Sequence, residues 1–337
     1  MRGGAERLLE FLDSAPGAVA IATHANADPD AVGCAVALRE GVARAVGRDL
    51  QLIFPEGVSR TSRRIIERSG ARLSYAEGGV EGLSGLILVD LASPGQLGAA
   101  RAMLDELRGR VFLVDHHVPT RDLLELCWGA VVREEAAASV IAYEICAELG
   151  VELPREALFL VLAGILFDTR RFTHATPAAL AVASEVLRHG VPYSDVVEAL
   201  QQEMDLPERI ARLKAAGRLR LYRLGDWLVA FTHVGSFEAS AARAILSLGA
   251  DAVFVVSERN EEVRVSARCT SRFREGAGLS LGEDVMPRLA ELMGGSGGGH
   301  HLAGGALVRG TSEDVVAKCL EILSEKLGLE ARQLILD

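Results

Sequence analysis

Runs of apolar residues punctuate the first half of the chain at 18–23, 51–54, 85–91 and 110–114. Within each run the apolar positions are continuous rather than alternating, which predicts strands buried on both faces. Stretches with apolar residues at helical spacing lie between and after them, at 31–46, 94–107, 136–149 and 155–166. Buried strands alternating with helices predict an α/β fold, a parallel sheet covered by helices on both sides. In such sheets ligands bind at the carboxyl ends of the strands.

The pattern then changes. One more helix is predicted at 176–189, followed by a polar helical stretch at 193–213. A second strand-rich set follows at 219–224, 227–233, 252–257 and 262–267, interrupted by a helix near 239–247 and succeeded by helices at 281–293 and 313–327. This divides the chain into a parallel-sheet domain at 1–190, a helical connector at 191–217 and a smaller α/β domain at 218–337. The active-site cleft is expected between the two domains.

Composition narrows the function. A chain of 337 residues exceeds what one core usually grows to, and 24% charged against 49% hydrophobic residues excludes a disordered chain. The formal net charge of −10 leaves no basic stripe for a long phosphate backbone. Any nucleic-acid ligand is therefore short and held locally, and duplex is excluded. The cysteines at 34, 127, 146, 269 and 319 show no CxxC spacing, which excludes a disulfide framework or a sulfur-bound zinc and predicts buried free thiols. The first 14 residues mix Arg, Glu and Asp with an apolar stripe, an amphipathic helix rather than a signal peptide. No apolar run reaches membrane-spanning length, so a cytoplasmic protein without a membrane partner is expected.

Four polar clusters end these apolar segments. His24, Asp28 and Asp30 follow the first run, Asp90 lies in the third, Asp115-His116-His117 closes the fourth, and Asp168 ends the apolar helix. Singly, each reads as a turn former or helix cap. Jointly they bring carboxylates and imidazoles to one sheet edge. Unpaired carboxylates so close would repel one another, and divalent cations remove that cost. Mixed Asp oxygen and His nitrogen donors suit Mn²⁺, with Mg²⁺ or Co²⁺ as alternatives, better than Ca²⁺. Two such ions roughly 3.5–4 Å apart can clamp the attacking and leaving oxygens of a phosphate displacement.

In order, HANADPD, LVDLAS, VDHH and FDT resemble the four motifs of the DHH phosphoesterases. The resemblance spans about the first 190 residues. It implies one ion held by His24, Asp28 and Asp90 and another held by Asp30, Asp90, His116 and Asp168, with Asp90 bridging. It further implies that His117 faces the substrate and that Asp115 orients a ligand imidazole. Cys34 stands where a small hydroxyl residue is usual, and Arg170 where glycine is common; Arg170 or Arg171 could add a phosphate contact or an ordinary surface ion pair.

The segment 294–305 is glycine-rich, carries His300 and His301, and lacks the GK[ST] of a phosphate-binding Walker loop. Read as Gly297-Gly298-Gly299-His300-His-Leu-Ala303-Gly304-Gly305, it resembles the GGGHxxAAG signature of the domain that accompanies many DHH proteins, with Gly304 in place of Ala. By that resemblance Gly297, Gly298, Gly299 and His300 hold the nucleotide end of a substrate, and Arg268 holds a terminal phosphate or a stacked base.

The expected activity is two-metal hydrolysis of short oligoribonucleotides or of the nucleoside bisphosphate pAp. A cyclic or linear dinucleotide phosphodiesterase and a RecJ-like single-strand exonuclease use the same parts. A family II-type pyrophosphatase shares only the first domain, and a non-catalytic nucleotide-binding module is the reading from another class. Partners are short RNA or DNA or a small nucleotide, with room left for a homodimer.

Overall fold

A computed structural model describes residues 3–201, 204–259 and 262–335. The chain divides into two compact units, 1–202 and 203–337. No helix among the described residues is long and apolar enough to cross a membrane.

In the first unit, strands β1 (Val19–Ala22), β2 (Gln51–Ile53), β3 (Tyr75–Ala76), β4 (Gly85–Val89), β5 (Val111–Asp115) and β6 (Cys127–Val132) form a parallel sheet in the order β3-β2-β1-β4-β5-β6. Alternate residues feed two cores. Val19, Ile21, Ile87, Val89, Phe112 and Val114 pack beneath the long helices, while Ala20, Ala22, Leu86, Leu88, Val111 and Leu113 pack on the opposite face. Burial on both faces is why these strands read as unbroken apolar runs.

The helix Pro29–Val46 starts at Asp28, whose carboxylate accepts from the amides of Asp30 and Ala31, and stops at Gly47 in the left-handed region. Glycines let it lie close to its neighbours. A Cβ on Gly33 would sit 2.6 Å from the Leu160 carbonyl oxygen, and one on Gly164 would sit 2.7 Å from Asp30 Oδ1. The helices Ala138–Glu148 and Arg155–Asp168 are thereby pressed against the first turn of Pro29–Val46.

Several elements depart from the expected ones. The single helix expected at 94–107 is a tight turn of helix, Pro94–Ala100, broken at Gly98 (φ 51°, ψ −126°), followed by Met103–Glu106. The helix Arg60–Ser69 and strand β6 were not anticipated. The expected N-terminal helix runs from Gly4 to Ser14, residues 1 and 2 lying outside the described residues. The polar stretch at 193–213 holds two helices, Tyr193–Leu200 and Leu206–Gly217, the second capped by Asp205; residues 202 and 203 lie outside the described residues.

In the second unit, β7 (Arg220–Leu224), β8 (Trp227–His233), β9 (Ala252–Arg259), β10 (Glu262–Cys269), β11 (Gly295–His300), β12 (Ala303–Arg309) and β13 (Ala331–Leu334) form a sheet in the order β11-β12-β10-β9-β8-β7-β13. Only β8 and β9 run parallel, joined through the helix Glu238–Ser247. The glycine-rich segment is the edge strand β11, hairpinned to β12. Residues 295–299 bear only one side chain, Ser296, so nothing in their pattern signalled a strand.

Candidate metal centre

The strand order of the first unit reverses between β1 and β4, and a sheet of this kind opens a crevice at that point, at the carboxyl ends of the strands. The sequence-predicted residues of this unit converge there. His24 follows β1, and its loop is tied down by hydrogen bonds from Ala25 N to the Gln96 carbonyl (2.7 Å) and from Asn26 N to the Pro55 carbonyl (2.7 Å). Asp90 follows β4 in the left-handed region (φ 55°), a conformation unusual outside glycine and typical of strained functional positions. Its amide donates to the Val114 carbonyl, which keeps β4 and β5 in register up to the site.

Asp90 is only 4% exposed and stands between the other groups. Its Oδ2 lies 3.9 Å from His24 Nε2, and its Oδ1 lies 3.4 Å from His116 Nε2. His24 Nε2 lies 3.7 Å from Asp28 Oδ1. His116 Nε2 also lies 3.4 Å from Asp168 Oδ2 and 4.0 Å from Asp30 Oδ2. Among the described residues three overlapping sets of donors have their ligand atoms within 4.8 Å of one another: His24-Asp28-Asp90, Asp30-His116-Asp168 and Asp90-Asp115-His116-His117.

Three atoms test whether cations fit. Asp90 Oδ1, His116 Nε2 and Asp115 Oδ2 are buried without a hydrogen-bond partner. A buried polar atom without a partner carries the full cost of its desolvation, and a cation between the first two removes it. The donor set, aspartate oxygens with two imidazoles, also suits a divalent ion. The site fits two.

The two histidines of the DHH triplet are held differently. His116 donates from Nδ1 to the Glu135 carbonyl (3.0 Å), which leaves Nε2 facing Asp90 and Asp168. His117 is half exposed and pairs through Nδ1 with Asp115 Oδ1 (2.9 Å), which also accepts from both histidine amides. Asp115 thus orients His117 rather than the imidazole expected to ligate. Glu135, which belongs to none of the sequence motifs, sets the other ring through its backbone carbonyl.

Charges at the site pull on one another. Burial opposes the charge on His24, but the Asp28 hydrogen bond, the Ala25 carbonyl and Asp90 lift its pKa to about 9. Burial opposes His116 likewise, and Asp90, Asp30 and the Glu135 carbonyl lift it to about 10. The Asp115 hydrogen bond raises His117. Burial, then the charges of Asp28 and Asp90, raise Asp168 to about 7; burial, Asp90 and Asp168 push Asp30 well up. Against burial, hydrogen bonds from His24 and the helix amides hold Asp28 down.

A pH dependence follows. Both imidazoles have raised pKa values, so at neutral pH the ion-free protein holds them protonated. Coordination requires the neutral rings and ionised carboxylates. Binding of a divalent cation is therefore expected to release protons at neutral pH, and affinity to climb as pH rises toward 9 to 10. Calorimetry in buffers of different ionisation heat reads the proton count; no release at neutral pH contradicts these charge states.

Cys34 is fully buried one turn beyond Asp30, and the other thiols are free as expected, Cys127 alone being half-buried. Arg170, Arg171 and Phe172 turn left-handed in succession (φ 48°, 56° and 68°) directly after Asp168 and Thr169, and neither arginine has an ion pair among the described residues. In the second unit, Arg268, Ala303 and His300 form one cross-strand row, and Ser266, Gly305 and Gly298 form the next. Opposed residues share a face, so the glycines leave a bare floor flanked by Arg268 and His300. Arg268 Nε is buried without a partner. A Cβ on Gly297 would lie 2.3 Å from the Met286 carbonyl oxygen, and one on Gly299 2.4 Å from that of Ala303. Those two glycines serve close backbone packing, whereas Gly298 has open space.

A doubly wound sheet with carboxylates and imidazoles gathered at its switch point marks a two-unit α/β protein built to hold divalent cations. Residues 18–165 match the DHH family, N-terminal domain. The chain is 35% identical over 302 residues to the uncharacterized protein MJ0988 of Methanocaldococcus jannaschii, covering 88% of each. It is 30% identical over 195 residues to the bifunctional oligoribonuclease and PAP phosphatase NrnA of Thermus thermophilus, covering 57% of this chain and 56% of that one. Among solved structures, an exopolyphosphatase-related protein from Bacteroides fragilis shares the fold, with a TM-score of 0.57 at 16% identity over 96% of both chains. The first unit of the chain is thus a DHH-family N-terminal domain.

Proposed function

We propose that the protein hydrolyses short oligoribonucleotides, the nucleoside bisphosphate pAp, or both, using two divalent cations, Mn²⁺ foremost. The observation that carries the reading is the pair of donor sets meeting at Asp90. The partial match to an oligoribonuclease and PAP phosphatase supports the substrate class. His24, Asp28 and Asp90 hold one ion; Asp30, Asp90, His116 and Asp168 hold the other. When bound, such a pair supplies Lewis acidity toward phosphoryl oxygens and acidifies water.

The chain's own residues do the rest. Asp115 accepts from His117 Nδ1 and favours the protonated ring, whose Nε2–H donates to a phosphate oxygen or gives its proton to the leaving oxygen. Arg268, His300 and the floor at Gly298 recognise the nucleotide portion, a guanidinium suiting both phosphate and base. The acidic balance of the chain favours short single strands over duplex.

The test is a Mn²⁺-dependent product assay that compares pAp, a linear dinucleotide, RNA of graded length, long single strands and pyrophosphate. Fastest turnover on pAp or on RNA of a few nucleotides is expected. Preference for long single strands, or for pyrophosphate, overturns the substrate assignment.

A further inference from the structure

Outside the ligands, one segment supports two donors of the same set. It comprises residues 135–139, after β6 and into the first turn of the helix Ala138–Glu148. The Glu135 carbonyl accepts from His116 Nδ1 (3.0 Å). Ala138 N donates to Asp30 Oδ2 (2.6 Å) and Ser139 N to Asp30 Oδ1 (2.9 Å), while Ser139 Oγ donates to the Asp30 carbonyl (3.2 Å). These amides open a helix, so its dipole also favours the Asp30 charge.

The segment is itself tethered by the Glu135 side chain. Its Oε1 accepts from Ala136 N (2.7 Å) and from the Thr176 hydroxyl. Thr176 caps the helix Pro177–Arg188 by accepting from Ala179 N. It also ends the loop that leaves the third donor, Asp168, so the carboxylate of Glu135 joins the supports of Asp30, His116 and Asp168.

The other set does not use this strap. His24 Nδ1 donates to the Ala25 carbonyl (2.9 Å), and Asp28 accepts from Asp30 N and Ala31 N, all within one loop and helix start. We propose that Glu135 is a positioning residue for one ion of the pair, the one held by Asp30, His116 and Asp168, and not for the one at His24 and Asp28. The proposal rests on the two-ion reading above. Hydrogen-bonded supports of this kind change metal affinity by about 10–100-fold when removed.

The experiment titrates the full chain with Mn²⁺ by electron paramagnetic resonance, with thermal melting in parallel, for wild type, Glu135→Ala, Glu135→Gln and Thr176→Val. Glu135→Ala is expected to keep one site near wild-type affinity and weaken the other about 10–100-fold. Glu135→Gln retains an oxygen acceptor for both bonds and is expected to rescue. Thr176→Val, which loses one of the two bonds, is expected to weaken the same single site. Two unchanged sites in Glu135→Ala, or equal weakening of both, overturn the proposal. Should Glu135→Ala melt below the assay temperature, unchanged sites in Thr176→Val overturn it. A wild type that holds fewer than two ions instead removes the two-ion reading.

Discussion

Asp90→Asn is expected to remain folded and to lose hydrolysis, with kcat/KM down by about a thousandfold or more. Asp90 supplies an oxygen toward each donor set, 3.9 Å from His24 Nε2 and 3.4 Å from His116 Nε2. If two ions bind as proposed, loss of this carboxylate weakens both at once, and such ions contribute several kcal/mol to phosphoryl transition states. A thousandfold corresponds to about 4 kcal/mol at 1.36 kcal/mol per tenfold. The fold survives because Asn tolerates the left-handed backbone that Asp90 adopts. Asp90 also contributes to the raised pKa values of Asp30 and Asp168, so removing its charge relieves repulsion in the ion-free protein. Steady-state kinetics with circular dichroism decide the matter: a folded variant with wild-type kcat/KM removes Asp90 from the bridging position.

A large stability effect is expected at Gly297, and its neighbour Gly298 supplies the contrast. A methyl at 297 would stand 2.3 Å from the Met286 carbonyl oxygen and 2.8 Å from its carbon, both backbone atoms. The hairpin of β11 and β12 would have to part from the helix Met286–Met293, and overpacking of this kind costs about 1–3 kcal/mol. A methyl at 298 meets nothing closer than the Gly282 carbonyl oxygen at 4.0 Å. Gly298→Ala is thus expected to melt like wild type yet to raise KM about tenfold, some 1.4 kcal/mol, by lifting the substrate off its floor. Wild-type stability in Gly297→Ala contradicts the close packing; an unchanged KM in Gly298→Ala removes the floor from the binding site.

Much of this was legible in one dimension. Continuous apolar runs marked β1, β4 and β5 because burial on both faces leaves no polar alternation to confuse them. Asp28, Pro29 and Gly47 bracketed the helix between them with ordinary cap chemistry. Polar residues at strand ends then pointed to the side chains that the fold gathers, since parallel sheets bind ligands there. Elements without such contrast went unseen. The helix Arg60–Ser69 buries only Ser62 and Ile65, although Ser59 and Gly70 signal its ends. Strand β6 is an edge strand whose residues are mostly half-buried, and β11 is nearly without side chains.

By itself, then, the sequence determined the kind of strand, the ends of the main helices, and which residue types stand at those ends, because each of these is set by neighbours within a turn or two. Only the tertiary structure decided which of those ends meet. The order β3-β2-β1-β4-β5-β6 lays β1 beside β4 and β4 beside β5, so His24, Asp90 and His116 come within 4 Å of one another's partners despite wide separation in the chain. It also decided that Asp115 serves His117 and that the Glu135 backbone serves His116. Those assignments depend on hydrogen bonds formed after the strands pair and the helices pack, and no local spacing encodes them.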